Sequence, residues 1–354
     1  MSNDLYPADD LREPGLDLPL AEPLRVAISG AAGRVAYSLV FRIAAGGMFG
    51  AHQPIILRCL DRAESLEQLE ALRWELFDAA FPLLVDFHAT TDPDDAFRDA
   101  DWIIMLASRT EHTPADHTPA LQQNAPIYQA HGQAINRTAP RARVLVVATP
   151  SHTNCLIAMT NAPNLPPERW FALNRLYRMR ATAIIAQKLG VPVWHLNRIN
   201  VWGNPGPNLY VDLHNSFVGD TPVWRRLKDR EWECGALQES VGSRANQHFL
   251  MSGVTPAATC AQAILGTIRS VIVPTPYLRR FGAGVVSDGS YGVPRGLIFG
   301  FPLRTEDGRT WHIVQDIYHD SFAIERLQAS VRELQHEATL ATPFFGDTSS
   351  LPAP

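Results

Sequence analysis

At 354 residues, of which 46% are hydrophobic and 19% charged, the chain is long enough for two packed domains and too apolar for a disordered protein. Its net charge of −5, from 31 basic and 36 acidic residues, gives no overall attraction for nucleic acid or anionic lipid, so the expected partner is a small molecule. Cys59, Cys155, Cys234 and Cys260 form no C-x-x-C pair, which argues against a metal knuckle or a disulfide framework. The acidic first residues and the absence of a long apolar run argue against secretion and membrane insertion and place the protein in the cytoplasm.

Residues 1–22 and 343–354 lack periodicity and read as tails, the first of them disordered. The organising stretch follows, from Leu24 to Phe41. An apolar strand run through Val26 and Ile28 enters a glycine-bounded helix start. Gly30 and Gly33 let the backbone turn and approach a pyrophosphate, and the exposed N–H groups of the helix opening, at Arg34 and Val35, suit its charge. Ala36 takes the small position where helix packs close to strand. By itself G-x-x-G-x-x-A fits any strand–turn–helix. The next apolar run, Pro54–Leu60, ends in Asp61, and a carboxylate there accepts the ribose hydroxyls of NAD while repelling the 2′-phosphate of NADP.

Downstream the pattern predicts a helix around Leu66–Phe77 and strands near Val85–Thr90 and Trp102–Ala107. A helix near Thr118–Asn124 and strands at Pro126–Gln129 and Val144–Ala148 complete the first half. Strands separated by single helices imply an α/β fold with a doubly wound parallel sheet, here a dinucleotide-binding domain over residues 23–154. Beyond residue 155 come a long helix at Arg175–Leu189, a helical small-residue stretch at Glu239–Arg269, turns and strands around Gly284–Pro294 and Trp311–Val314, and a closing helix at Ile324–Leu334. These read as a mixed α+β substrate domain over residues 155–342.

Several ordered motifs resemble one family: Gly30-Ala-Ala-Gly-Arg-Val-Ala-Tyr-Ser-Leu39, Gln53-Pro-Ile-Ile-Leu57, Thr153-Asn-Cys-Leu156, Lys188-Leu-Gly-Val191, Val201-Trp-Gly-Asn204 and Ser287-Asp-Gly-Ser-Tyr-Gly-Val-Pro294. The chain resembles the NAD-dependent malate dehydrogenases of the cytosolic type, within the lactate/malate dehydrogenase superfamily, over nearly its whole length. The resemblance implies a Rossmann sheet in the order 3-2-1-4-5-6, a substrate domain beside it, and a homodimer. It also implies a cofactor role for Asn154, in the motif that here reads Thr149-Pro-Ser-His-Thr-Asn154.

The chemistry departs from the family. The histidine that follows W-G-N in a malate dehydrogenase is Pro205 here, and its paired aspartate, 28 residues earlier, is Tyr177. Of the carboxylate-binding arginines only Arg180 remains, suited to hold a carboxylate as a bidentate fork. The two arginines of the mobile loop fall at Glu111 and His117, with Arg109 two positions ahead as a substitute, and the asparagine that opens the substrate motif is Thr149. A positioned acid–base group contributes about 10²–10⁴-fold, which Pro205 cannot supply.

The replacement candidates are Tyr177, under the influence of Arg178 or Arg180, and His152, expected in the loop after the sixth strand near the nicotinamide. Tyr177 has the alternative of filling space left by the missing pair. His112 and His117 flank Asp116 in what reads as a solvated loop rather than a metal site. The functional reading is an oxidoreductase on a small carboxylate other than malate. The alternatives are a non-redox enzyme holding NAD as resident cofactor or substrate, and a catalytically silent NAD-binding protein.

Overall fold

The computed structural model describes residues 21–109 and 117–346, so the expectations for Glu111, His112 and Asp116 lie outside the described residues. The first half alternates as β1 (Leu24–Ser29), α1 (Arg34–Ala44), β2 (Ile55–Leu60), α2 (Leu66–Asp78), β3 (Leu84–Thr90), α3 (Pro93–Phe97), β4 (Trp102–Met105), α4 (Thr118–Thr138), β5 (Arg143–Val146), α5 (Ser151–Thr160) and β6 (Trp170–Ala172). The second half comprises α6 (Arg175–Leu189), β7 (Leu196–Asn197), β8 (Asn200–Trp202), β9 (Tyr210–Asp212), β10 (Phe217–Val218), β11 (Thr221–Pro222), α7 (Val223–Leu227) and α8 (Arg230–Trp232). After a π-helical turn at Glu233–Leu237 it continues as α9 (Gln238–Ser252), α10 (Ala257–Ile272), β12 (Phe281–Val286), β13 (Ile298–Arg304), β14 (His312–Ile313) and α11 (Ser321–Ala341).

Among the described residues, nine strands form one sheet in the order β14-β13-β12-β6-β5-β4-β1-β2-β3. The six from β3 to β6 are parallel and reproduce the expected 3-2-1-4-5-6 order; β12, β13 and β14 extend the sheet antiparallel beyond β6, past the residue-155 change in character. Alternation along β1 sends Val26 and Ile28 into one apolar layer with α1, α2 and α10. Ala27 goes into the other, with α4 and α5, so both faces are covered as a parallel sheet requires. A third, smaller core joins α6, β8, β9 and α9.

Most of the anticipated elements form, and α6 has the predicted bounds. The strand expected at Pro126–Gln129 does not form: those residues lie inside α4. The helical period decides, because Leu121, Asn124, Tyr128, His131 and Ile135 share the buried face. Pro126 removes one helical hydrogen bond, but both it and Gln122, four residues earlier, are exposed, where water can take the freed carbonyl. The small-residue stretch after Glu239 divides into α9 and α10, because Gly253, in the left-handed region at φ 72°, ends α9.

Candidate active site

The cradle is built at the carboxyl ends of β1 and β2. Gly30 has φ +73°, and a Cβ there would lie 2.7 Å from the backbone nitrogen of Ala107, just beyond β4. The glycine is therefore required first by the approach of two strand ends, before any ligand arrives. Gly33 is the N-cap of α1; it supplies no side-chain cap, and no acidic residue occupies the first turn. By contrast α11 is capped by Asp320, whose carboxylate accepts from the Ala323 N–H at 2.8 Å. The open N–H groups at Arg34 and Val35 thus face the cradle with a helix dipole behind them, a place for a pyrophosphate. At the tip of β2 the Asp61 carboxylate accepts from the Ala32 N–H and the Arg62 N–H, both at 2.8 Å, which aims it at the same turn. Each oxygen keeps acceptor capacity for a ribose hydroxyl. Arg34 donates to the Thr255 carbonyl at 3.3 Å and ties the cradle to the α9–α10 connection. Glycine turn, uncapped helix and strand-tip carboxylate fit a dinucleotide.

Val35 also lines a cavity of about 520 Å³, together with Thr149, Tyr177, Arg180, Pro205 and His117. A second cavity alongside α1 shares Thr255 and Pro256 with it, so the cradle adjoins the cavity.

Of the expected substrate residues, Arg180, Thr149 and His117 come together in the cavity, and Arg109 does not line it. The Arg109 backbone is fixed by Asn124, whose Oδ1 accepts its N–H at 2.9 Å, while the side chain is exposed. Arg180 lies 4.9 Å from the centroid of the Tyr177 ring, and its Nη1 is buried with no hydrogen-bond partner. A buried guanidinium N–H without an acceptor costs about 1–3 kcal/mol or more, which an anionic ligand would recover.

Tyr177 reaches the cavity, but burial pushes its phenol above the ordinary range, with Arg180 countering only in part. The expected activating cation does not prevail over desolvation. Arg178, the other cation considered, is absent from the cavity wall; burial and then Arg175 and its other arginine neighbours bring it down to about 9. His152 is not in a loop after a sixth strand but is the second residue of α5, because the stretch at Pro126–Gln129 is helical. It is fully buried, outside the cavity lining, with Nε2 against β12, where a Cβ on Gly284 would lie 2.5 Å away. Burial lowers its pKa to about 3. Asn154, also buried in α5, donates to the Ala148 carbonyl at 2.9 Å and holds the chain leaving β5.

The polar loop expected around His117 is also corrected at that residue: its imidazole is buried, with Nδ1 2.9 Å from Glu337 Oε1 on α11. Glu337 also receives Thr153 Oγ1 and, at 2.9 Å, Asn204 Nδ2. Burial alone would raise this carboxyl, but the contacts with His117, and with Thr153 and Asn204, outweigh it and hold the pKa low. Glu333, one helical turn earlier, accepts from Asn208 Nδ2 at 3.0 Å, yet burial keeps its pKa raised. Arg326 donates from Nη2 to the Pro207 and Leu209 carbonyls and fixes the segment that carries Pro205. Sequence reasoning missed Glu333, Glu337 and Arg326. Their only signal is an i, i+4 acidic pair on an amphipathic helix, which usually marks a solvated face.

A dinucleotide cradle beside a partly open cavity, in which one arginine N–H lacks an acceptor, fits a nucleotide-dependent enzyme of the dehydrogenase type. The profile of the lactate/malate dehydrogenase NAD binding domain matches residues 24–172, and that of the lactate/malate dehydrogenase alpha/beta C-terminal domain matches residues 175–344. Among solved structures, a malate dehydrogenase from Naegleria fowleri is 32% identical, with 92% of this chain and 100% of that one covered and a TM-score of 0.87. A Trichomonas vaginalis lactate dehydrogenase in complex with NADH and oxamate is also 32% identical, with 91% and 98% covered and a TM-score of 0.86. A Plasmodium falciparum malate dehydrogenase, at 17% identity and a TM-score of 0.77, shares the fold. The chain belongs to the lactate/malate dehydrogenase family. Its fold is that of the family's NAD-binding oxidoreductases, and its cofactor is NAD. No helix among the described residues is long and apolar enough to cross a membrane.

Proposed function

We propose that the protein is an NAD(H)-dependent oxidoreductase acting on a small 2-hydroxy or 2-oxo acid other than malate. The observation that carries this reading is Arg180, whose buried Nη1 lacks an acceptor in a cavity adjoining the NAD cradle. A carboxylate seated on Arg180 sets the reacting carbon toward the nicotinamide end of the cradle. Malate is disfavoured because a second, distal carboxylate needs its own cation. The other arginine that lines the cavity among the described residues, Arg326, is engaged with backbone carbonyls. Thr149 takes the place of an asparagine donor at the substrate, and its own carbonyl accepts from Asn124 Nδ2 at 3.1 Å.

The test uses oxamate, a small carboxylate, titrated calorimetrically into the NADH-loaded protein. Binding weakened about 10–150-fold by Arg180→Gln, the loss of a charge-assisted contact of roughly 1.5–3 kcal/mol, supports the reading. Equal affinity in the variant defeats it.

The protein is further proposed to work in the cytoplasm as a homodimer. The exposed apolar side chains Leu66, Trp74 and Phe77 on α2 offer a surface for a second copy. Light scattering that shows a monomer at micromolar concentration would remove the assembly.

A further inference from the structure

We propose that His117 is the acid–base residue of this site and that Glu337 is the carboxylate that positions it. The pair comes from the residue before α4 and the end of α11, in place of the pair the family draws from positions 177 and 205. The assignment rests on the reading of the cavity as a 2-hydroxy-acid site.

The argument is geometric. The missing imidazole belongs at position 205, and the surroundings of the next residue hold one: a Cβ on Gly206 would lie 3.2 Å from Glu333 Oε1, 3.3 Å from His117 Cε1 and 3.7 Å from Nε2. An imidazole therefore sits beside the segment that carries Pro205, next to the Glu333 carboxylate. It lines the same cavity as Arg180 and Tyr177. Its Nδ1 is committed to Glu337 at 2.9 Å, which fixes the ring plane and makes Nε2 the nitrogen for exchange. Glu337 is itself immobilised by Thr153 and Asn204. An oriented imidazole backed by a buried, hydrogen-bonded carboxylate is the arrangement proton transfer requires.

Among the described residues, the titratable groups that act on the ring are Glu337 and Glu333 on α11 and His152 on α5. Burial raises Glu333 and brings His152 down to about 3, so Glu337 is the firmly ionised partner. Tyr177 and His152, the other candidates, are respectively shifted away from neutrality and absent from the cavity.

In the oxidation of a 2-hydroxy acid, the hydroxyl proton passes to Nε2 while the C–O bond becomes C=O. The hydride, with its electron pair, moves from that carbon to the nicotinamide of NAD⁺. The products are the 2-oxo acid, NADH and an imidazolium paired with Glu337, and the proton then leaves to solvent. Reduction runs the same steps backward.

The experiment is oxamate calorimetry on the NADH complex in buffers of different ionisation enthalpy, with NADH affinity as the control for folding. In the unmodified protein, proton uptake on binding should climb toward one as the pH is raised from about 6 to 10, because an imidazolium donates to the bound carbonyl. Affinity should fall about tenfold per pH unit above the ring's pKa. His117→Asn should take up no proton and lose that slope. Glu337→Gln should keep the uptake but move its midpoint to lower pH, since removing a carboxylate disfavours the charged ring. Unchanged uptake in His117→Asn, with binding still dependent on Arg180, overturns the dyad alone. Absence of oxamate binding, or indifference to Arg180→Gln, overturns both the dyad and the substrate reading. Binding abolished by EDTA also overturns the dyad: the ligand atoms of His117, Glu333 and Glu337 lie within 4.8 Å of one another, and the three would then be metal ligands.

Discussion

The cradle at the ends of β1 and β2 and the cavity wall made by α6, Asn204–Asn208 and α11 face one another across the same space, yet they were specified in different ways. The cradle is mostly backbone: a positive-φ glycine, an uncapped helix and one carboxylate oriented by main-chain N–H groups. The wall is side chains, and on the reading proposed above its chemistry is reassigned. By the family resemblance Tyr177 and Pro205 fall where a proton-transfer pair is expected, and the imidazole and carboxylate proposed in their place come from elements distant in sequence. Recognition written in backbone geometry resists substitution, because replacing it deforms the fold. Chemistry written in side chains can be re-sourced from another helix at little cost to packing.

The sharpest way to break this comparison lies within the cradle. Gly30→Val should destabilise the protein by about 3 kcal/mol or more, because a β-branched residue at φ +73° meets the Ala107 backbone at 2.7 Å. NADH binding should be lost with the fold rather than by blocking of the pyrophosphate alone. Gly33→Ala, whose Cβ would lie 3.1 Å from the Gly30 carbonyl oxygen, should leave denaturant stability nearly intact and weaken NADH binding. Equal stability losses in the two variants would contradict the distinction between a strand-end contact and a ligand contact.

A smaller effect is expected at Asp61. Removing the carboxylate by Asp61→Ser should narrow the preference for NADH over NADPH by about tenfold, roughly 1.4 kcal/mol, measured by fluorescence titration. A preference that stays the same would show that the repulsion comes from elsewhere.

The buried histidines give a pH test of the same scale. Burial lowers His131 to about 4 and His152 to about 3, so both are neutral in the folded chain and charge more readily when unfolded. The unfolded state then binds more protons, and stability is full above the unfolded value of about 6.5 and declines as the pH falls below it toward 4. Denaturant melts at several pH values should show this slope, and His131→Phe, which replaces the ring packed on Phe97 and Tyr128, should flatten it. A slope unaffected by that change would remove His131 from the account.

The smallest effect is predicted at Tyr177. With its phenol driven upward by burial, Tyr177→Phe should change oxamate affinity by no more than about threefold, under 1 kcal/mol. A larger loss would restore the hydroxyl as a participant.

The legibility of the sequence follows the same division. The glycine turn and the place of Asp61 at a strand tip were readable because glycine spacing, strand runs and strand-tip charge are local patterns, whereas the sheet order came from the family resemblance. Pro126–Gln129 was misread because a proline and a short apolar run look like a strand, whereas the period that makes it helical is spread over Leu121 to Ile135. Arg180, Tyr177 and Pro205 were found by register against a family. Glu337 was not, since nothing near it in sequence announces that a helix 220 residues beyond His117 will close on it. His152 looked well placed only in one dimension; the turn of α5 carries it to β12.

The central claim is an oxidoreductase that has kept NAD and left malate, and the most direct measurement is absorbance at 340 nm with the NADH-loaded protein. The account predicts oxidation of NADH with a 2-oxo acid bearing a single carboxylate. With oxaloacetate, which lacks a second cation to meet its distal carboxylate, rates should be lower by about 10²-fold or more. Reduction of oxaloacetate at ordinary dehydrogenase rates would contradict the account and return Tyr177 and Pro205 to an unassigned state.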